Sequence, residues 1–437
     1  MRLKLSVALI CLIQILNAQQ FSEPCATMPV YNNHLQNAAV KQNYAMAEQN
    51  ARQWLKNNNT QLLKKQNTII KIPVVVHVVY KNATQNVPDS MIFSQINVLN
   101  ECFRKQNPNY NTTRPVFDSL GADTEIEFCL ANTDPQGNPT TGIVRTAAPS
   151  NAQFDPLFGF DNSKKPSKGG DTAWAASSYF NIWLVDMSIF NQTVVLGYAT
   201  FPGSDPALDG VVIQYNYFGK YSKPNFLGRT TVHEAGHWLG MRHIWADDDN
   251  GQNPQTVYCD STDFVDDTPN AGPKSSSNCD LAKNTCSLEA AFWGATDAPD
   301  MVENYMDYSS DACMTLFTKG QKARMYSFLN SDPNRMAIKT STASCNTIMS
   351  VNTVQNFNDL IVLSPNPANS QIDIKIKGFG ESDFGLVLYD ISGKVVLMQN
   401  VNYLTASIPL QDLANGLYFV KISNNHNSCV KKVLVQH

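Results

Sequence analysis

The segment TVHEAGHWLGMRHIW, Thr231 to Trp245, places three of the chain's seven histidines, His233, His237 and His243, within eleven residues, with Glu234 beside the first. On a helix, residues four apart stand about 40° from each other on one face, one turn above the other, so His233 and His237 can bind a single ion. Gly240 has no Cβ and can take the left-handed conformation that ends a helix, which turns the chain and returns His243 to the same ion. Three neutral imidazoles leave one position of a tetrahedral zinc for a water, whose pKa falls to roughly 7. Glu234 is too close in sequence to His233 to ligate as well, and it can take that water's proton. An H-E-x-x-H string alone also describes an amphipathic helix with two surface histidines; the glycine and the third histidine argue against that reading.

A second signal lies far off in sequence. ENYMDY, Glu303 to Tyr308, has the form of a methionine turn, with Met306 as an apolar floor under the metal. Tyr308, two residues on, resembles the position where several metzincins keep a phenol that can hydrogen-bond the metal or a tetrahedral intermediate. By itself a methionine between tyrosines is more often core packing. Together, HEAGHWLGMRH, NYMDY and the following CMTLFTKGQKARM resemble the pappalysin family of metzincins, particularly its compact bacterial members, over roughly Ile69 to Leu329. Within that span IPVVVHVVY is similar to the family's first strand, EFCLANTDPQGNPTTGIVR to its next strand and turn, and FVDDTPNAG to its calcium-associated loop.

The resemblance implies a zincin-like catalytic domain that cleaves protein or peptide substrates and is made as a latent zymogen. It implies structural Ca2+ held by the side chains of Asp263 and Thr268 and the carbonyl of Asp266; the residues alone describe an oxygen-rich cluster that suits a hard cation, or a solvated acidic loop. It also implies crossed disulfides, Cys259 to Cys286 and Cys279 to Cys313, where four cysteines alone allow three connectivities. Family members that favour a basic residue after the scissile bond carry an acidic side chain next to the cysteine that follows the methionine turn. Here Ala312 precedes Cys313 and Asp311 stands one step further away, so a strict Arg/Lys preference is not implied. ADDDN, Ala246 to Asn250, reads as a solvated loop, and His77 as a satisfied core histidine in a very apolar strand.

A chain of 437 residues, 43% hydrophobic and 16% charged, accommodates two or three domains with sizeable cores. Its net charge of −4 offers no basic footprint for nucleic acid. Arg2 and Lys4, an apolar run from Leu5 to Leu16, then Asn17 and Ala18 read as a signal peptide over 1–18, too short to span a bilayer, and no other segment is long and apolar enough to cross one. Export permits disulfides, and the ten cysteines become nine once Cys11 leaves with the signal. The odd one is assigned to Cys25, near the head of a polar segment, 19–66, that reads as a propeptide with helical segments but little core. Its thiolate can fill the zinc's open position as a latency switch; pairing with another cysteine, or no role, is the other reading. Lys64 and Lys65 mark a plausible cut region, and Cys102 and Cys129 read as a pair or as two buried thiols.

Period-two patterning and turn residues place strands at Ile72 to Tyr80, Thr124 to Ala131, Asn181 to Val185 and Gly210 to Tyr215. Helices are expected at Asp89 to Lys105 and Arg229 to Leu239, which makes the catalytic part, 67–340, an α+β domain with a loop-rich lower half. GVVIQYNYF is expected to be the sheet edge along which an extended substrate pairs. A linker, 341–356, leads to alternating strands over 357–437, a small all-β sandwich. There LSPNP, YDISGK, GLYFVKI and KKVLV resemble the C-terminal sorting domain of type IX secretion cargo. That resemblance implies the type IX machinery as a partner and a secreted or bacterial cell-surface location; an accessory sandwich is the alternative. For the whole chain the expected function is zinc endopeptidase, against a surface adhesin on an inactive metzincin scaffold, which would have no need of Glu234.

Overall fold

The computed structural model describes residues 24–62, 68–156, 159–189, 192–193, 195–220, 226–247, 259, 261–272, 274–276, 278–286, 297–343, 361–376, 384–401, 405–423 and 428–437. The signal peptide, the Lys64–Lys65 cut region, Cys345 and most of the linker lie outside them. The chain divides into two units, Met1–Asn346 and Thr347–His437.

In the first unit the longest strand, β1 (Ile70–Tyr80), is buried over nearly its whole length. A continuous apolar run of this kind belongs to a parallel sheet covered on both faces. β1 pairs in parallel with β2 (Ile126–Leu130) along its first half, with β3 (Ile143–Ala147) along its second, and with β4 (Phe180–Val185) on the other side. The sheet runs β2-β1-β4-β6-β5, with β6 (Val211–Gln214) parallel to β4 and β5 (Gly197–Ala199) antiparallel to β6. The expected edge at GVVIQYNYF is therefore corrected: β6 is internal, and β5 takes the outer position. A three-residue strand shows no periodicity long enough to detect, which is why it escaped the pattern.

One sheet face carries the larger core, where Ile92, Ile96 and Leu99 of α3 (Asp89–Phe103) meet Val232, Ala235 and Trp238 of α4 (Arg229–Trp238). The opposite face packs Trp183, Val185, Tyr198 and Val212 against Ala26 and Val30, the latter on α1 (Thr27–His34). His77 is buried there, stacked on Trp183 and hydrogen-bonded to Asp171 at 2.7 Å and Asn181 at 3.0 Å, a satisfied core histidine.

The polar N-terminal segment is more ordered than its composition predicts. α2 (Ala38–Leu62) is one helix of 25 residues, and it lays Ala47 and Ala51 against Phe328 of α5 (Lys319–Leu329). Glu48 forms a two-pronged ion pair with Arg324, at 3.0 and 2.8 Å. Burial would raise the Glu48 carboxyl, but the charge and hydrogen bonds of Arg324, joined by Arg52, overcome it and hold the pKa at about 2. A carboxyl depressed in the folded state contributes its full stabilisation above its ordinary value of about 4.3 and loses it as pH falls through about 2. Pepsin cuts within 38–62 should therefore appear across that window before the circular dichroism of the catalytic unit changes, and Glu48→Gln should abolish the pH dependence. Cutting that follows pH equally in the variant would sink the idea.

The second unit is a sandwich of two antiparallel sheets. One has the order β10-β9-β12-β13, built from Val395–Val401, Phe384–Tyr389, Gly416–Ser423 and Ser428–Val435. The other has the order β11-β8-β7, from Thr405–Pro409, Gln371–Ile376 and Ile361–Ser364. Alternate residues such as Leu386, Leu388, Val420, Ile422 and Ile372 fill its core. This is the β-sandwich that period-two patterning anticipates.

Candidate metal centre

His233 and His237 project from one face of α4, as the four-residue spacing requires. The helix stops at Gly240, whose φ of +90° is the left-handed conformation that favours glycine and whose missing Cβ would fall 2.1 Å from the Phe328 ring. The chain then returns His243, and the three Nε2 atoms form a triangle with every side 3.1 Å. Four-coordinate zinc with Zn–N of about 2.0–2.1 Å sets its nitrogens ~3.3 Å apart, so the triangle fits that ion.

The far side of each ring makes the lone pairs available. Nδ1 of His233 donates to the Tyr305 carbonyl at 2.7 Å, Nδ1 of His237 to the Met241 carbonyl at 2.8 Å, and Nδ1 of His243 to the Asp247 carboxylate. With each proton on Nδ1, three bare Nε2 atoms converge in a buried space. Burial, reinforced by the neighbouring rings, pushes the His233 pKa down to about 3 and lowers His237 well below the usual range, so both are neutral and ready to ligate.

Asp247 is a correction. It sits in the stretch read as a solvated loop, but Ala246 and Asp247 both take positive φ, 67° and 60°, folding the chain back so that the carboxylate reaches His243, four residues before it and beyond the helix end. Its role depends on backbone geometry that the composition ADDDN does not encode.

Glu234 is fully buried and faces the same space. Burial pushes its pKa up to about 8. Its Oε2 accepts a hydrogen bond from Thr27 Oγ1 at 2.9 Å and lies 3.5 Å from Cys25 Sγ, while no protein donor reaches Oε1. Cys25 Sγ and the histidine ligand atoms all lie within 4.8 Å of one another, the one such metal-capable group among the described residues. Cys25 is a free, buried thiol whose pKa burial and the nearby Glu234 raise in the absence of an ion.

Met306 packs against the helix, so close that a Cβ on Gly236 would meet its Sδ at 2.5 Å. Its loop is held by reciprocal amide bonds between Asn304 and Gln321, both 3.0 Å. Tyr308 packs its ring against His233 and His243 and donates its hydroxyl to the Cys25 carbonyl at 3.3 Å. Asp311 is engaged by the backbone at the start of α4: it is buried and accepts from the N–H groups of Leu227 at 2.7 Å and Arg229 at 3.1 Å.

The chain bonds Cys259 to Cys286 and Cys279 to Cys313, the crossed pairing implied by the resemblance. Cys102 is a free thiol and Cys129 is disulfide-bonded, so the Cys102–Cys129 pairing is excluded. Arg229 occupies the space beside Cys102 instead. In the expected calcium loop, Thr268 Oγ1 donates to Asp263 at 2.9 Å, and burial pushes the Asp263 carboxyl up to about 8. Asp266 is exposed.

A parallel sheet with an antiparallel outer strand, and a glycine-broken helix with three convergent imidazoles above a methionine, define a metzincin-like metallopeptidase. The family model described as pregnancy-associated plasma protein-A, a peptidase family, matches residues 166–330, and that for the secretion system C-terminal sorting domain matches 363–436. The chain belongs to the pappalysin-like family of metalloproteases. Mature mirolysin of Tannerella forsythia, solved with a cleaved peptide, is 41% identical, with a TM-score of 0.55 over 63% of this chain and 97% of that one. A promirolysin variant of the same organism is 36% identical, with a TM-score of 0.57 over 73% and 97%. An extracellular metalloprotease of Pyricularia oryzae is 36% identical over 193 residues, 41% of this chain and 61% of the relative; one of Arthroderma benhamiae is 38% identical over 190 residues, 42% and 56%. The chain thus spans a little over half the length of these two curated relatives. With its sorting domain and extracellular relatives, it is a secreted or cell-surface protein.

Proposed function

We propose that the chain is a zinc-dependent endopeptidase held latent by its own N-terminal segment, with His233, His237 and His243 as ligands and Glu234 as general base. The observation that carries this reading is the 3.1 Å triangle of bare imidazole nitrogens beside a buried carboxylate. Bound zinc supplies a Lewis acid for the scissile carbonyl and acidifies water at neutral pH. Glu234 takes the proton of the attacking water and returns it to the leaving amine. The Tyr308 hydroxyl, freed from the Cys25 carbonyl, turns to the oxyanion, and the outer edge of β5 pairs with the extended peptide.

The N-terminal segment opposes each of these parts. Leu196 and Gly197 donate to the Pro24 carbonyl, and Ala26 donates to Gly197, so the segment occupies the sheet edge. Thr27 Oγ1 donates to Glu234 while accepting from Ala199 at 2.8 Å, which ties the base to the edge strand. Cys25 Sγ stands where a fourth ligand belongs. Latency is then shared between thiol and hydroxyl, and Cys25→Ala alone should release only part of it. In a casein assay with zinc-loaded protein, rates should rise from the full chain to Cys25→Ala, then Cys25→Ala/Thr27→Val, then the chain cut ahead of Ile69. If zinc is bound and no form hydrolyses casein, the scaffold reading takes over.

Calcium at Asp263, Thr268 and the Asp266 carbonyl belongs to the same proposal, supported by the buried Asp263 carboxyl that a cation would neutralise. Added calcium should raise the melting temperature of the wild type and not of Asp263→Asn, as read by scanning calorimetry. An equal shift in both places the ion elsewhere. The sorting domain, on this reading, delivers the chain to the type IX secretion machinery.

A further inference from the structure

We propose that the face covered by α2 becomes, once the N-terminal segment leaves, an exosite that reads an acidic residue on a helical segment of protein substrates. The proposal rests on the latent-peptidase reading and extends it to substrate choice. Arg324 is the centre of this face. Its Nε donates to the Gly240 carbonyl at 2.9 Å, and its two terminal nitrogens both go to Glu48. With α2 gone, a guanidinium fixed from below presents a vacant fork, the geometry that matches a carboxylate.

The surroundings suit that ligand. Arg324 lies over the Phe264 and Phe328 rings at 5.1 and 5.2 Å, and Arg242 lies over Phe201 at 4.1 Å, so two cations are held on a floor of aromatics. Phe264 is 40% exposed and takes φ of +67°, a conformation unfavourable for a bulky side chain, and thereby lifts its ring between Arg324 and Arg52 of α2. The present occupant shows what fits: Glu48 reaches Arg324 while small Ala47 and Ala51 of the same helix pack on Phe328. A cavity of about 570 Å³ remains between α2 and this face, so the helix does not fill it, and a bulkier segment with the same carboxylate has room. Gly240 and Arg242 lie between His237 and His243 in the chain, which sets the exosite beside the metal.

The test uses the zinc-loaded chain cut ahead of Ile69 and a short quenched peptide that it cleaves. That peptide is compared with two longer ones, extended through a flexible linker by residues 38–62, carrying either Glu or Gln at position 48. Labelled free 38–62 peptides of both kinds are titrated by fluorescence anisotropy. The Glu form should bind at least about tenfold more tightly than the Gln form, the scale of a lost charge-assisted pair. The Glu-extended substrate should show a correspondingly lower KM at unchanged kcat. Equal affinities, or equal KM values for the two extended substrates, would overturn the exosite. Tight binding of the free Glu peptide without a gain in KM would overturn it too, because the face would then serve only the N-terminal segment. If no substrate is cleaved at all, the peptidase reading fails, and the anisotropy pair still decides whether the face reads a carboxylate.

Discussion

Glu234→Ala is expected to cut peptide hydrolysis by about 10²–10⁴-fold, the range a positioned general base contributes, while zinc content stays stoichiometric. The reason is positional. The three ligand nitrogens are oriented by Tyr305, Met241 and Asp247, none of which touches the glutamate, so deleting its side chain leaves the triangle standing. His237→Ala removes one corner of that triangle and should lose metal and activity together. Zinc measured by mass spectrometry against protein concentration separates the two: equal zinc in both variants, or zinc lost from Glu234→Ala, would contradict the assignment. The comparison is made on protein cut ahead of Ile69, because in the intact chain Thr27 already engages Glu234.

Arg335→Ala should destabilise the catalytic unit by about 3–5 kcal/mol, because it strands a buried carboxylate. Arg335, on the short helix α6 (Pro333–Ile338), grips Asp209 through two bonds of 2.7 and 2.8 Å and donates to the Trp238 carbonyl at the end of α4. Both side chains are almost wholly buried, and the guanidinium lies 3.8 Å over the Trp238 ring. Thr200, Ser204 and Trp238 also donate to Asp209, but none brings a positive charge. A loss of this size shifts the melting temperature on the order of 10 °C in a unit of this length. The paired replacement Arg335→Met/Asp209→Leu should recover only part of it, because it removes the stranded charge but leaves the buried Ser204 and Trp238 donors without their acceptor. A single variant that melts with the wild type would show that the pair carries no net stability.

How much of this could be read from residues alone varies from part to part. The helix over Asp89 and its neighbours, the zinc helix and the long strands stood out because their periodicities run for several turns or residues. The methionine turn and sorting segments were legible through resemblance. The role of Asp311 is not legible locally, because its cap on α4 joins residues 82 and 84 positions away. The N-terminal segment read as having little core, yet Ala26 and Val30 complete one, since a few apolar residues count for much when they land on a prepared sheet face.

What the sequence by itself determined is the local chemistry: two imidazoles one helical turn apart, a glycine able to end that helix, a third imidazole after it and a carboxylate between. Such spacings act through backbone geometry over a few residues and survive in any fold that forms the helix. Tertiary structure alone decided which strand is the free edge, that Thr27 holds Glu234, and that Glu48 meets Arg324. Those contacts join residues 207 and 276 positions apart, and at such separations partners are chosen by the packing of the sheet and its helices, which no short pattern encodes.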